Sequence, residues 1–173
     1  MSYNTLLNGD LSIMIQLTKT LLTLAVALWG LLGGVGNLAS YHDGLQSVHS
    51  VLSLETLPTE AIPEGPRTPN PLMVHLGFAF IWVLKLAGGL LCLVGAARMW
   101  RARKSEQADF AAAKRWAILG CGVLFFMLFF GFSLVAIGPY KLFLSPMQSA
   151  VELAALFAAQ IGILMIFLQQ KES

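Results

Sequence analysis

The chain has 173 residues, of which 57% are hydrophobic and 12% are charged, and its formal net charge is +2. A soluble globular domain carries about 25% charged residues, so the composition excludes an ordinary soluble protein and indicates a membrane protein. The net charge is also too small to predict a protein that binds nucleic acid.

Four long apolar stretches occupy most of the chain, over residues 13–38, 72–97, 116–138 and 148–168. Each stretch has the ~20 residues that a helix needs to cross a hydrocarbon layer of about 30 Å. The connections after the second and third stretches are short, which favours antiparallel neighbours. We therefore predict an all-α membrane protein, with one domain that forms an antiparallel bundle of four transmembrane helices.

The first span is interpreted as a retained helix and not as a cleaved signal peptide. No basic residue precedes Lys19, and Asn37 stands where cleavage after Ala39 would require a small apolar residue. Lys19 lies near one end of this span, so we expect its ammonium group to reach the membrane interface.

The connection from residue 39 to residue 71 is predicted to form a cap with a short amphipathic helix. This helix is expected from Asp43 to Glu55, with Asp43 as its N-cap. Leu45, Val48 and Leu52 would share its apolar face. Five of the seven prolines follow within residues 58–71, which predicts an extended second half of the connection.

The charges in the connections predict the orientation in the membrane. Basic residues are concentrated between the second and third spans, within residues 98–115, at Arg98, Arg101, Arg103, Lys104, Lys114 and Arg115. The connection 39–71 has Arg67 against four acids, Asp43, Glu55, Glu60 and Glu64. By the positive-inside rule the basic connection is cytoplasmic, both termini are cytoplasmic and the connection 39–71 faces outward.

Small residues recur at helical spacing within two of the spans. The sets are Gly88, Cys92 and Ala96 in the second span, and Ala150, Ala154, Ala158 and Gly162 in the fourth. Transmembrane helices approach one another closely through small residues. We predict that these residues are packing positions, either within the bundle or against another membrane protein.

Two ionisable residues within the spans are candidate functional residues, because an intramembrane charge needs a partner or water. Lys85 lies near the middle of the second span, on the side of Gly88 and Cys92, and Glu152 lies one turn into the fourth span. A Lys85–Glu152 pair is one hypothesis. Separate partners are the alternative, because Lys85 is ~20 Å along its span and Glu152 only ~6 Å along its own.

The sequence shows no motif of catalytic residues. It contains no CxxC, GxSxG, HExxH or phosphate-binding loop, so we predict no catalytic residue and no enzyme. The histidines are His42, His49 and His75, and no span carries two of them at ligand spacing. We therefore predict no metal and no cofactor, with haem held between His42 and His75 as a weak alternative.

The segment GNLASYHDGLQSVHSVLSLET, residues 36–56, resembles the outer segment of a bacterial family of predicted small integral membrane proteins, domain of unknown function 2165. The matching positions are Asn37, Tyr41, Val48 and residues 51–56, with His49 shifted by one; we take Asn37, Tyr41, His49 and Glu55 as an outer-loop motif. The family tends to carry an acid where this chain has Lys85. The resemblance implies the topology and a bacterial inner membrane, but no reaction.

Three functional hypotheses remain open. The first is a non-catalytic accessory or assembly subunit, whose partners are the lipid bilayer and other membrane proteins that bind its small-residue helix faces. The second is a small-ligand, ion or proton transport element that uses Lys85. The third is a redox carrier that holds haem at His42 and His75.

Overall fold

A computed structural model gives the chain as five α-helices and describes residues 3–62 and 69–171, with side chains from Leu11 onward. The helices are α1 (Tyr3–Ala39), α2 (Tyr41–Leu52), α3 (Pro71–Ala102), α4 (Gln107–Leu128) and α5 (Gln148–Gln169). Glu64 and Arg67, which entered the charge argument, lie outside the described residues.

Four helical segments are long and apolar enough to cross a membrane: Leu11–Ala39, Pro71–Ala102, Gln107–Ala136 and Gln148–Gln169. The part of the chain that the structure describes contains no strand. The prediction of an all-α, four-span membrane protein is therefore confirmed. The third segment combines α4 with a π-helical continuation, Phe129–Ala136, whose wider turns are uncommon in proteins.

The helices extend beyond the apolar stretches at the basic connection. α3 continues to Ala102 and α4 begins at Gln107, so residues 103–106 alone join them and most of the predicted connection 98–115 is helical. Arginine, lysine and alanine are good helix formers, so α3 and α4 continue beyond the ends of their apolar stretches. We call this end of the bundle, where α3 ends and α4 begins, the basic end.

α3 is the central helix of the bundle, with α1 on one side and α4 on the other. Gly30 of α1 lies against Gly89, and a Cβ at Gly30 would be 3.0 Å from the Gly89 Cα. On the other side, Gly95 lies against the backbone of Ala117 in α4. α5 packs on α4 and, less extensively, on α1.

The tightest core lies towards the basic end. Its fully buried residues include Cys92, Met99, Phe110, Leu124 and Leu168. α3, α4 and α5 all contribute to this set, so three of the long helices share one continuous core.

α2 lies across the opposite end of the bundle, which we call the cap end: there α1 and the π-helical segment finish and α3 and α5 begin. Gly44 of α2 packs on the ring of Phe78, and a Cβ at Gly77 would be 3.2 Å from a methyl of Val48. Val51 packs against a second buried cluster, formed by Ala136, Leu142 and Val151. The amphipathic helix thus contacts α3 and reaches the α4–α5 connection.

Both boundaries of this helix were predicted wrongly: it ends at Leu52 and not at Glu55. α2 begins at Tyr41 with Ser40 as its N-cap residue, so Asp43 lies within the first turn and is not the N-cap. An acid in the first turn also interacts favourably with the helix dipole. Asp43 therefore indicated the start of a helix, but the helix begins two residues earlier. After α2, Leu54 adopts a left-handed conformation with φ 59°.

Candidate functional site

Lys85 is half-buried between α3 and α1. A Cβ at Gly33 would lie 3.3 Å from the Lys85 Nζ atom, and the Nζ atom is 5.4 Å from the centroid of the Trp29 ring. Cation–π contacts of this kind are stronger where water is scarce. Within the described residues, the ammonium group has neither a hydrogen-bond acceptor nor an ion-pair partner.

A second donor lies one turn away on α3. The indole Nε1 of Trp82 is buried and has no hydrogen-bond partner among the described residues. Residues three apart on a helix are neighbours on its surface, so Trp82 and Lys85 lie side by side on α3. Both side chains can only donate hydrogen bonds.

The depth of Lys85 differs from the depth that the sequence suggested. It lies opposite Gly33, six residues before the last residue of α1, or about 9 Å below that end. Because α3 starts 14 residues before Lys85, it projects about 12 Å beyond α1 at the cap end. Lys85 is therefore less deep than its position in α3 suggests, because the first turns of α3 extend beyond α1 and pack against α2.

Glu152 does not meet Lys85. Its side chain is exposed on the outward side of α5, and its Oε1 accepts a 2.6 Å hydrogen bond from the Gln148 Nε2. No contact joins the two residues in the described part of the chain. The separation is lateral, since Lys85 points towards α1 and Glu152 points away from the bundle.

The predicted packing residues divide between buried and partly exposed positions. In α3 Gly88, Cys92 and Ala96 are buried, and in α5 Ala154 and Ala158 are buried. Ala150 and Gly162 are partly exposed; a Cβ at Gly162 would lie 3.4 Å from the ring of Phe125. The Cys92 Sγ is 3.8 Å from the Sγ of Cys121, and both cysteines are free thiols.

The outward face of α5 is more polar than the other lipid-facing surfaces. Gln160 is exposed there, together with Glu152 and the small residues Ala155 and Ala159. The Gln160 amide makes no hydrogen bond within the described residues. By contrast, the exposed face of α1 presents aliphatic side chains, at Leu21, Leu22, Leu28, Leu32 and Val35.

The outer-loop motif is centred on Tyr41. Its hydroxyl lies 3.1 Å from the His75 Nδ1, and its ring meets the Phe78 ring edge-on at 5.2 Å. Tyr41 therefore fixes the start of α2 to the first turns of α3. The other motif residues are Asn37 in the last turn of α1, His49 in α2, and Glu55. Asn37 and His49 are partly exposed, and Glu55 is exposed.

The histidines are not gathered into a metal site. His42 is exposed, and the Nδ1 of His75 is engaged by Tyr41. No group of three or more His, Cys, Asp or Glu side chains suited to a metal ion occurs in residues 11–62 and 69–171. The suggestion of haem between His42 and His75 stays a prediction.

Two lysines at the basic end are buried, which the sequence did not indicate. Lys19 is fully buried and Lys114 is 6% exposed. The Nζ atoms of Lys19 and Lys114 donate to the carbonyl oxygen of Gln170, at 2.6 and 3.2 Å. Cations are favourable at a helix C-terminus, so these lysines from α1 and α4 anchor the end of α5.

A comparison with protein families agrees with this architecture. A family model described as predicted small integral membrane protein (DUF2165) matches residues 15–171. No curated protein and no solved structure matches the chain. With four apolar helices and a family match over nearly its whole length, the chain belongs to the family of predicted small integral membrane proteins DUF2165.

Proposed function

We propose that this protein is a non-catalytic accessory or assembly subunit, and that it binds a larger membrane protein through the outward face of α5. The observation that carries the proposal is the exposed amide of Gln160. Gln160 lies 12 residues from the start of α5 and nine from its end, which is about 18 Å and 13 Å along the helix. Its side chain is too short to reach either interface.

An amide that faces hydrocarbon without a partner is unfavourable by several kcal/mol on alkane scales. Amide side chains in transmembrane helices instead form hydrogen bonds across helix–helix contacts, worth about 1–2 kcal/mol in model peptides. Ala155 and Ala159 lie on the same outward side and would allow close approach of another helix. A polar residue flanked by small residues therefore favours a protein neighbour over lipid.

The proposal can be tested with a photo-crosslinking amino acid placed in the full-length protein in native membranes. Positions 156 and 163 of α5, where Leu156 is 53% and Ile163 is 67% exposed, leave the Gln160 amide intact and are expected to give a discrete protein adduct. Leu32 of α1, which is 71% exposed, is the matched control and should crosslink to lipid. Gln160→Leu should abolish co-purification of the partner in mild detergent; equal adducts at all three positions would contradict the proposal.

A second candidate function is binding or transport of a small ligand at Lys85. We propose it because Lys85 and Trp82 present two donors without acceptors, about 9 Å below the end of α1. A ligand with an anionic or strongly accepting group would satisfy both donors. Transport further requires a water-filled path from the cap end to Lys85.

Cysteine accessibility tests this path. In a background that lacks both native cysteines, Lys85→Cys should react with a charged, water-soluble methanethiosulfonate reagent added from the cap end. Leu90→Cys is the control, because Leu90 is 55% exposed on the surface of α3 and should face lipid. Equally slow reaction at the two positions would rule out the path.

The location and orientation are part of the proposal. We place the protein in a bacterial inner membrane, with the basic end and both termini in the cytoplasm, because Arg98, Arg101, Arg103 and Lys104 lie at the basic end. Protease or thiol labelling of intact spheroplasts tests this directly. A haem carrier at His42 and His75 is the remaining alternative, and a visible absorption spectrum of the purified protein decides it.

A further inference from the structure

A concave site lies at the basic end, between the last turns of α3 and the first turns of α4. The cleft has a volume of about 390 Å³ and is lined by Arg98, Arg101, Ser105 and Asp109, with three alanines from the two helices. The cleft is shallow and open over most of its extent. The cleft is separate from Lys85 and from the outward face of α5.

The cleft carries an excess of positive charge. Two guanidinium groups face one carboxylate, and no ion pair joins Asp109 to Arg98 or Arg101 in the described part of the chain. Arg101 is exposed and makes no side-chain hydrogen bond or ring contact there. Both guanidinium groups are therefore available to an anion, and guanidinium matches the geometry of phosphate oxygens.

Tryptophan side chains fix the position of the cleft relative to the membrane. The Arg98 Cζ lies 4.6 Å from the centroid of the Trp116 ring, and Trp116 is 37% exposed. Trp100, 47% exposed, lies in the last turn of α3. Exposed tryptophans are typical of the membrane interface, which favours a position of the cleft near the lipid phosphates.

The stacking of Arg98 on Trp116 also affects its chemistry. A guanidinium group that lies over an aromatic ring keeps its N–H groups free at its edge. The Ser105 hydroxyl adds a neutral donor, and Asp109 adds an acceptor. Two cations, a hydroxyl and a carboxylate together suit a phosphodiester that carries hydroxyl groups.

We propose that this cleft binds the headgroup of an anionic phospholipid with a polyol headgroup, such as phosphatidylglycerol. Arg98, Arg101 and Ser105 donate to the phosphodiester oxygens. Asp109 accepts from a headgroup hydroxyl, which gives the site a preference among anionic lipids. The inference is independent of the proposed subunit role, because it uses a different face of the molecule.

Lipid binding to the full-length protein in mild detergent tests the proposal, with dioctanoyl phosphatidylglycerol as the probe. Arg98→Gln/Arg101→Gln should weaken binding about thirtyfold, since each cation near a lipid surface contributes ~1 kcal/mol and 1.4 kcal/mol is tenfold. Arg101→Gln alone should weaken it about fivefold and cannot disturb the Trp116 contact. Arg103→Gln/Arg115→Gln is the control of equal charge outside the cleft.

The outcomes separate the sources of the anion. If the control double variant loses as much affinity as the cleft variant, general attraction explains the binding and the site is refuted. If inorganic phosphate or glycerol 3-phosphate binds as tightly as the lipid, the ligand is a free anion and the lipid proposal is wrong.

Asp109 has its own test. Phosphatidylmethanol has the same phosphodiester charge but no headgroup hydroxyl, so the protein should prefer phosphatidylglycerol by about tenfold, as expected for a hydrogen bond to a charged group. Asp109→Ala should remove this preference while phosphatidylmethanol still binds. A preference that survives Asp109→Ala would overturn the assigned role of the carboxylate.

Discussion

Gly95→Ala should destabilise the protein through the contact between α3 and α4. A Cβ at Gly95 would lie 2.5 Å from the Ala117 N and 2.8 Å from the Ala117 Cα, whereas ordinary contacts begin at 3.4 Å. Both contacts are with backbone, so no side-chain rotation relieves them. The two helices would have to separate by about 1 Å, and overpacking of this kind is unfavourable by about 1–3 kcal/mol.

The expected net effect is smaller, because alanine is the better helix former by about 0.5–1 kcal/mol. We therefore expect the free energy of unfolding to fall by about 0.5–2 kcal/mol, measured by circular dichroism during SDS titration of mixed micelles. Gly36→Ala is the matched control, since a Cβ there meets nothing within 4 Å, and it should be neutral or stabilising. If Gly95→Ala and Gly36→Ala unfold at the same SDS fraction, the close contact is not as described.

Three further predictions concern the two ends and the core. Lys114→Met removes a buried cation from the end of α5 and should lower the free energy of unfolding by about 1–2 kcal/mol, whereas Lys104→Met at an exposed position should have little effect in the same SDS titration. Tyr41→Phe loses the 3.1 Å hydrogen bond to the imidazole in α3 but keeps the ring contact, so calorimetry should show a loss of about 0.5–1.5 kcal/mol. Cys92 and Cys121 are fully buried, so a membrane-permeant maleimide should label them slowly in the native protein and rapidly in SDS; fast native labelling would show that the core opens.

The fold was predictable because the lengths of apolar runs determine where helices can cross a membrane. The register between helices was not, because it depends on which glycines meet. Lys85 shows the difference: its position along α3 was clear, but its depth depends on the contact of α3 with Gly33 and Gly30 in α1. No pattern within one segment contains that information.

The candidate sites were predictable in part. Lys85 followed from the rarity of charge in a span. The burial of Lys114 was not predictable, since the sequence cannot show that the end of α5 lies beside it. Gln160 was overlooked because a neutral amide in an apolar run is a weak signal. Its exposure on the outside of α5 distinguishes it, and exposure is a property of the assembled bundle.

The helices of the bundle are packed together with different closeness. α1, α3 and α4 touch backbone to backbone, through Gly30 and Gly95, and close-packed interiors transmit displacement. α5 is held through side chains instead: a Cβ at Gly122 would be 3.9 Å from the Met165 Cε, the nearest atom. We expect α1, α3 and α4 to move as one rigid unit and α5 to shift relative to them. Such a shift would move the Phe157 ring, whose centroid lies 4.8 Å from that of Trp29, and Trp29 contacts the Lys85 ammonium group.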